Sequence, residues 1–246
     1  MKAMIFAAGL GTRLRPLTNN KPKALVEIQG VPLLEIAIRR LIWHGCQEII
    51  INIHHFGQQI IDFLKARQHF DIHIEISDEQ ELLLDTGGGL KKAADFLANA
   101  PFLVYNADIL TNLNLTDLYQ AHCQSDNLAT LAVRDRPSSR KLLFDGQNNL
   151  CGWQNTKTGE QKISRQTEIQ NPLAFSGIHV ISPELFDYFP EKPVFSIIDV
   201  YLEAARQASI QAFRHDADIW LDVGKPEALA KAAEIIKEMK IEGLVF

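Results

Sequence analysis

Residues 4–26 read MIFAAGLGTRLRPLTNNKPKALV. Met4–Ala8 is a short, unbroken apolar run, the pattern of a strand buried on both faces. It passes directly into Gly9-Leu10-Gly11, where the strand must end. In an open α/β sheet, ligands bind beyond the carboxyl ends of the strands. Gly9 and Gly11 let the main chain come close to a ligand, and successive N–H groups there can face anionic oxygens. Thr12 adds a hydroxyl donor and Arg13 a forked cation suited to phosphates. Lys21 and Lys23 add ammonium charges on either side of Pro22. A polyanion is the natural ligand of such a loop. Position 14 is Leu, so the third glycine of GxGxxG is missing, and the P-loop pattern GxxxxGK[ST] is absent as well.

Working outward, apolar runs alternate with amphipathic stretches. Leu33–Trp43 carries apolar residues at helical spacing and ends at Gly45. Glu48–Ile53 reads as a second buried strand, Phe56–Leu64 as a helix and Ile72–Ile76 as a strand. Leu90–Leu97 is helical, Phe102–Tyr105 a strand, Asp117–Cys123 a helix capped by Thr116, and Ala129–Val133 a strand. This βαβ rhythm predicts an α/β fold: a mostly parallel, Rossmann-like central sheet sandwiched by helices. After Arg134 the rhythm breaks. Lys141–Phe144, Leu150–Trp153 and Leu173–Ile181 read as strands set between polar, turn-rich segments, the signature of a small antiparallel β insertion. Helices return at Pro183–Tyr188, Ile197–Ala208 and Pro226–Met239, with strands near Ile210–Arg214 and Ile219–Val223. The apolar residues Ile241–Phe246 are expected to pack on the body or on another subunit.

Composition narrows the function classes. Lys and Arg total 25 against 30 Asp and Glu, a net charge of −5. A general nucleic-acid binder would show a basic surplus. No apolar run reaches the length of a membrane span, and the apolar start is interrupted too early for a signal peptide. Cys46, Cys123 and Cys151 are odd in number and widely spaced, fitting reduced thiols of a cytoplasmic protein.

The stretch Ala7–Thr18, followed by Pro22-Lys23-Ala24-Leu25, resembles the signature of the sugar-1-phosphate nucleotidyltransferases, the NDP-sugar pyrophosphorylases. Further segments extend the resemblance. Asp85-Thr86-Gly87-Gly88-Gly89, read as a loop opening the helix Leu90–Leu97, resembles the family's base-contacting glycines. Asn106-Ala107-Asp108 after the strand Phe102–Tyr105 is similar to its metal-binding GD or AD. Trp220-Leu221-Asp222-Val223-Gly224-Lys225-Pro226 is similar to the stretch that supplies its second metal carboxylate. The resemblance implies a nucleotidyltransferase fold of the GT-A-like kind. It implies one domain over 1–246, with a nucleotide-binding half (1–133) and a sugar-binding, metal-completing half (134–246).

It also implies in-line attack by a sugar 1-phosphate oxygen on the α-phosphorus of a nucleoside triphosphate. The nucleophile is already ionised, so the protein positions anions and neutralises charge. On this basis Arg13 and Lys23 are the catalytic cations and Asp108 and Asp222 hold Mg²⁺. Ala8, Gly9, Gly11, Thr12, Arg13, Gly87, Gly88 and Asn106 bind the nucleotide. Arg140, Trp153, Ser176, Gly177 and Asp199 line the sugar pocket, though Trp153 reads equally as core, Arg140 as solvated and Asp199 as a helix cap.

Length, the TGGG stretch and Phe175-Ser176-Gly177-Ile178 look most like the members that join UTP to N-acetylmuramate 1-phosphate in cell-wall recycling. Small mannose-1-phosphate guanylyltransferases are the rival, and a nucleotide-sensing subunit without turnover is a distant third. No Glu-x-Pro stretch stands in Leu150–Asn171; Lys157 and Lys162 read first as solvated loop charges and second as stand-ins for its phosphate-binding lysine. Gln80 alone stands where uridylyl- and thymidylyltransferases read the base. His54 and His55 read as structural or peripheral. The expected partners are a nucleoside triphosphate, UTP favoured, and a sugar 1-phosphate, in a monomer or small homo-oligomer.

Overall fold

Strands and helices form close to where the apolar periodicities place them. The structure is a computed structural model that describes residues 1–238. Ile241–Phe246, expected to pack, lie outside the described residues, as does Met239 at the expected end of the last helix. In chain order the first elements are β1 (Lys2–Phe6), β2 (Glu27–Ile28), β3 (Val31–Pro32), α1 (Leu33–Trp43), β4 (Glu48–Ile53), α2 (Gly57–Ala66) and β5 (His73–Asp78). Next come α3 (Asp85–Lys92), α4 (Ala94–Leu97), β6 (Phe102–Asn106), β7 (Ile109–Thr111), α5 (Leu115–Cys123) and β8 (Ala129–Arg134). The last are β9 (Arg140–Phe144), β10 (Leu150–Asn155), β11 (Gln161–Ile163), β12 (Asn171–Ile181), α6 (Ile197–Ala204), β13 (Ile210–Arg214), β14 (Trp220–Asp222) and α7 (Pro226–Glu238). The fold is mixed α/β, with a central, mostly parallel sheet flanked by helices, as the rhythm predicts.

Two compact units arise from interleaved stretches of chain. The first takes residues 1–83, 104–115 and 218 onward. Its strands lie in the order β5-β4-β1-β6. β1 pairs with β4 and β4 with β5, both parallel, with Ile5 opposite Ile51 and Ile51 opposite Ile76. Ile49–Ile53 are all buried, which is why β4 reads as a continuous apolar run. Helix α1 buries Leu33, Leu34, Ile36, Ala37, Ile38 and Leu41. It stops in a Schellman arrangement: Gly45 takes φ +86°, its N–H reaches the Ile42 carbonyl, and the Cys46 N–H reaches that of Leu41. A core of Leu14, Val26, Ile28, Leu33, Ile36, Leu110, Val223, Ala232 and Ile236 lies in this unit. Leu14 and Val223 therefore anchor the two stretches that carry Arg13 and Asp222. Each fully buried aliphatic side chain contributes about 2 kcal/mol.

The second unit takes residues 84–103 and 116–217. Here β12 pairs antiparallel with β8 and β9, β9 with β10, and β10 with β11, while β13 runs parallel to β8. The antiparallel character expected after Arg134 is present, with an additional strand, β11, inside the segment read as turn-rich. Its three residues are exposed, so no apolar alternation marked them.

Two local expectations are corrected. Thr116 does not cap the helix before Cys123, because α5 already begins at Leu115. The glycines of Asp85–Gly89 do not form a loop ahead of a helix, because α3 starts at Asp85 and contains all three. Glycine is needed there for space. A Cβ on Gly87 would lie 2.4 Å from the Phe195 ring, and one on Gly88 would lie 2.1 Å from the Pro193 carbonyl oxygen. Close approach to the Pro193–Phe195 backbone thus outweighs glycine's poor helix propensity.

Candidate active site

The signature loop leaves β1 at the carboxyl end of the parallel strands. Ala7 and Ala8 are buried, whereas Gly9, Thr12 and Arg13 are exposed. Gly11 adopts φ +63°, and a Cβ there would press to 3.0 Å on Lys23 and Thr18, so both conformation and space require glycine. Its carbonyl accepts from Thr18 Oγ1 at 2.8 Å, which folds the loop back on itself. Leu14 is fully buried between exposed Arg13 and Arg15. That one anchor fixes the turn while Arg13 and Arg15 on either side of it remain exposed.

Four of the predicted charged residues meet in the first unit. Lys23 forms an ion pair with Asp108 through its Nζ and the carboxylate Oδ2. Asp108 sits in the turn between β6 and β7. Strand β14 pairs antiparallel with β7, setting Asp222 opposite Ile109. The Val223 N–H then donates to the Asp108 carbonyl at 2.8 Å. The two aspartates, far apart in sequence, are thereby held at one strand edge. Arg13 reaches the same place: a Cβ on Gly224 would lie 2.6 Å from Asp222 Oδ1 and 2.8 Å from Arg13 Nη2. Gly224 is thus the gap through which guanidinium and carboxylate approach each other. Asp222 Oδ1 is buried and has no hydrogen-bond partner, an arrangement that costs free energy unless something satisfies it.

Behind the loop lies a polar network that the sequence reading did not assign. Asn52 Oδ1 accepts from the N–H groups of Ala7 (2.7 Å) and Ala8 (3.3 Å). Its Nδ2 donates to Glu79 Oε1 at 2.8 Å. One signal existed: Asn52 is a lone amide inside the apolar run of β4. A cleft of about 450 Å³ flanks the loop, lined by Leu10, Thr12, Arg15, Thr18, Asn19 and His55. His55 therefore stands beside the loop, while His54 Nδ1 is engaged with the Glu79 carbonyl at 2.7 Å. Asn106 ends β6, half-buried, and Gln80 is exposed and bonded to Asp78.

In the second unit, Trp153 on β10 is half-buried and faces the Lys162 ammonium, 5.6 Å from the ring centre. Lys162 donates to Asp199 Oδ1 at 2.9 Å. The Asp199 carboxylate raises the Lys162 pKa against the opposing effect of desolvation. Of the predicted sugar residues, Trp153 and Asp199 are thus linked through Lys162. Arg140 is exposed, two residues along β9 from Leu142, the partner of Trp153, and so on the same face. Ser176 points inward. It is fully buried, with its Oγ 2.7 Å from His215 Nε2, so its hydroxyl is not presented to solvent. Gly177 is buried at φ +75°. Gly87 and Gly88 pack on Phe195 and Pro193, and Thr86 Oγ1 accepts from the Ile197 N–H at 3.0 Å.

Among the described residues no group of three or more His, Cys, Asp or Glu gathers as a metal centre. Two carboxylates at one edge, one with an unsatisfied buried oxygen, fit instead a hard dication that takes its remaining ligands from water and substrate phosphates. Nor is any helix among the described residues long and apolar enough to cross a membrane.

Known proteins share this arrangement of chain. The sequence profile of the nucleotidyl transferase family matches residues 2–142. An N-acetylmuramate alpha-1-phosphate uridylyltransferase of Neisseria meningitidis is 34% identical over 91% of this chain and 93% of its own. The catalytic subunit beta of a Drosophila melanogaster mannose-1-phosphate guanylyltransferase is 28% identical over 92% of this chain and 60% of its own. Among solved structures, a UDP-glucose pyrophosphorylase from Acinetobacter baumanii superposes with a TM-score of 0.78. It covers 98% of this chain and 95% of its own at 17% identity, a likeness of fold.

Proposed function

The chain belongs to the nucleotidyl transferase family, and from that premise we propose that it transfers a uridylyl group from UTP to N-acetylmuramate 1-phosphate. The products are UDP-N-acetylmuramate and pyrophosphate. One observation carries the chemistry: Arg13, Lys23, Asp108 and Asp222 converge at one strand edge of the first unit. Two cations and two carboxylates at the end of a glycine loop suit polyphosphate chemistry, in which charge is neutralised and the reacting groups are held in line.

An oxygen of the sugar phosphate attacks the α-phosphorus, the bond from that phosphorus to the bridging oxygen breaks, and pyrophosphate leaves. The Gly9–Thr12 main chain cradles the triphosphate. Arg13, exposed and forked, binds the phosphates that become pyrophosphate and stabilises the charge they gain. Lys23 balances charge near the α-phosphate. Asp108 and Asp222 are the residues that would hold Mg²⁺, which supplies charge neutralisation across the phosphates when bound. No proton need be abstracted, because the attacking phosphate oxygen is already ionised at neutral pH. Trp153, Lys162, Asp199 and Arg140 form the surface offered to the sugar: an aromatic wall for an acetyl group and cations for a carboxylate. Such a role belongs to the cytoplasm, in cell-wall recycling.

The choice of UTP and N-acetylmuramate 1-phosphate rests on similarity to relatives of that activity over nearly the whole length of both chains. Pyrophosphate release from purified protein with Mg²⁺, four nucleoside triphosphates and a panel of sugar 1-phosphates tests it. UTP with N-acetylmuramate 1-phosphate is expected as the best pair. GTP with mannose 1-phosphate as the best pair would overturn the substrate assignment and keep the reaction. No release with any pair would overturn the reaction.

A further inference from the structure

Asn52 and Glu79 are 3% and 2% exposed, yet each carries a polar group with defined work. Glu79 offers an acceptor to Asn52 Nδ2 at 2.8 Å. That bond fixes the orientation of the amide, so its oxygen faces the other way, onto the N–H groups of Ala7 and Ala8. The main chain closes the same junction: the Glu79 N–H donates to the Ile53 carbonyl at 2.8 Å, and the Glu79 carbonyl meets His54 Nδ1. The ends of β1, β4 and β5 are thus tied at the root of the signature loop. Position 52 must accept on one side and donate on the other. An amide supplies both at once, whereas an ionised carboxylate of the same size only accepts.

We infer that Asn52 and Glu79 are a positioning pair, which holds the Ala7–Ala8 backbone so that the Gly9–Gly11 amides face the nucleotide phosphates. The inference rests on the nucleotidyl-transfer reading for its link to turnover. The pair itself is testable without turnover.

Three variants decide it: Asn52→Asp, Glu79→Gln and the double variant. Two measurements are made on each, amide hydrogen exchange of the peptide holding Ala7 and Ala8, and KM for the nucleoside triphosphate. Asn52→Asp sets two carboxylates against each other. It is expected to lose protection of those amides and to raise KM for the triphosphate on the order of 10-fold or more, with KM for the sugar 1-phosphate unchanged. In the double variant the amide introduced at position 79 supplies the donor and the carboxylate introduced at position 52 the acceptors, so protection and KM return toward wild type. Glu79→Gln alone keeps an acceptor for Asn52 and is expected to stay close to wild type.

A folded Asn52→Asp protein with wild-type protection and KM overturns the inference. So does a double variant no better than Asn52→Asp. Should Asn52→Asp not fold, recovery of folding and KM in the double variant supports the pair, and failure of the double variant overturns it. If wild-type protein releases no pyrophosphate, the functional reading falls. The exchange pattern and equilibrium dialysis of UTP then still decide whether the pair positions the loop.

Discussion

Lys23 and Asp108, 85 positions apart in the chain, form an ion pair at the edge of the parallel strands. The lysine comes from the single helical turn that ends the signature stretch, and the aspartate from the turn after β6. Both side chains are only partly exposed, at 12% and 22%. This pair therefore feels less solvent screening than a surface bridge. It also means that the cation proposed for the phosphates and the carboxylate proposed for the dication neutralise each other here. Substrate phosphates and a dication would each take over one partner's charge.

Removing the lysine should therefore cost activity, and some stability as well, because Asp108 is left partly buried without its partner. Lys23→Ala is expected to lower kcat/KM on the order of 10²-fold or more, the scale of losing one preorganised charge donor. Lys23→Arg keeps the charge but not the compact point donor, and should recover only part of the loss. Steady-state pyrophosphate release, alongside melting curves, checks both. Near wild-type turnover in a folded Lys23→Ala protein would remove Lys23 from the chemistry.

The glycines separate packing from binding. A Cβ on Gly88 would meet a backbone carbonyl at 2.1 Å, whereas Gly9 has open space around the corresponding position. Gly88→Ala should destabilise the protein by about 1–3 kcal/mol or more, since no rotamer change relieves a clash with main chain. Gly9→Ala should leave the unfolding midpoint unchanged and raise KM for the triphosphate, because only a ligand close to the backbone would feel the added methyl. Urea midpoints and KM values for the two variants should separate cleanly along these lines.

How far the sequence can be read follows the strength of its local patterns. β4 and α1 are legible because five buried residues in a row and a helical spacing of seven apolar residues leave little choice. The short strands β2, β3, β7 and β11 are not, since two or three residues carry no periodicity. The glycines of α3 mislead because a triple glycine normally signals a turn, and only the tertiary contact with Pro193 and Phe195 explains a helix there. Arg13, Lys23, Asp108 and Asp222 can be singled out by resemblance, but their meeting depends on the β7–β14 pairing, which no sequence window contains. Asn52 and Glu79 escape assignment because a buried polar residue declares its role only through its partners.

Asp222 carries a stability–function conflict. Its Oδ1 is buried without a hydrogen-bond partner, and Arg13 stands close by without satisfying it. Asp222→Asn removes the negative charge from this poorly satisfied position while keeping the side chain's size. In the absence of divalent cations its melting temperature should match or exceed that of wild type. Its turnover should fall on the order of 10²-fold, and the cation concentration for half-maximal activity should rise. Calorimetry with and without Mg²⁺, and activity titrated with the cation, test the two halves of this expectation separately.

Buried histidines should make stability fall in acid. Burial holds His122 at about 4 and His179 at about 3, against an ordinary value of 6.5. Burial, with Arg134 next in importance, brings His215 to about 4. His122 lies between Thr130 and Ser182, His179 meets Tyr201 at 2.6 Å, and His215 meets Ser176. All three are neutral in the native state at pH 5, while the unfolded chain has protonated them. The unfolded state therefore binds more protons, and stability rises with pH through this window. It is fully present above about pH 6.5 and declines progressively as the pH falls toward 4. Unfolding at pH 5 should take up about one proton for each of these histidines, read from the pH dependence of the urea midpoint. His179→Leu should reduce that uptake by about one and flatten the slope, even if its absolute stability is lower because the Tyr201 hydroxyl loses its partner. An unchanged slope in that variant would show that His179 is already protonated in the folded protein at pH 5.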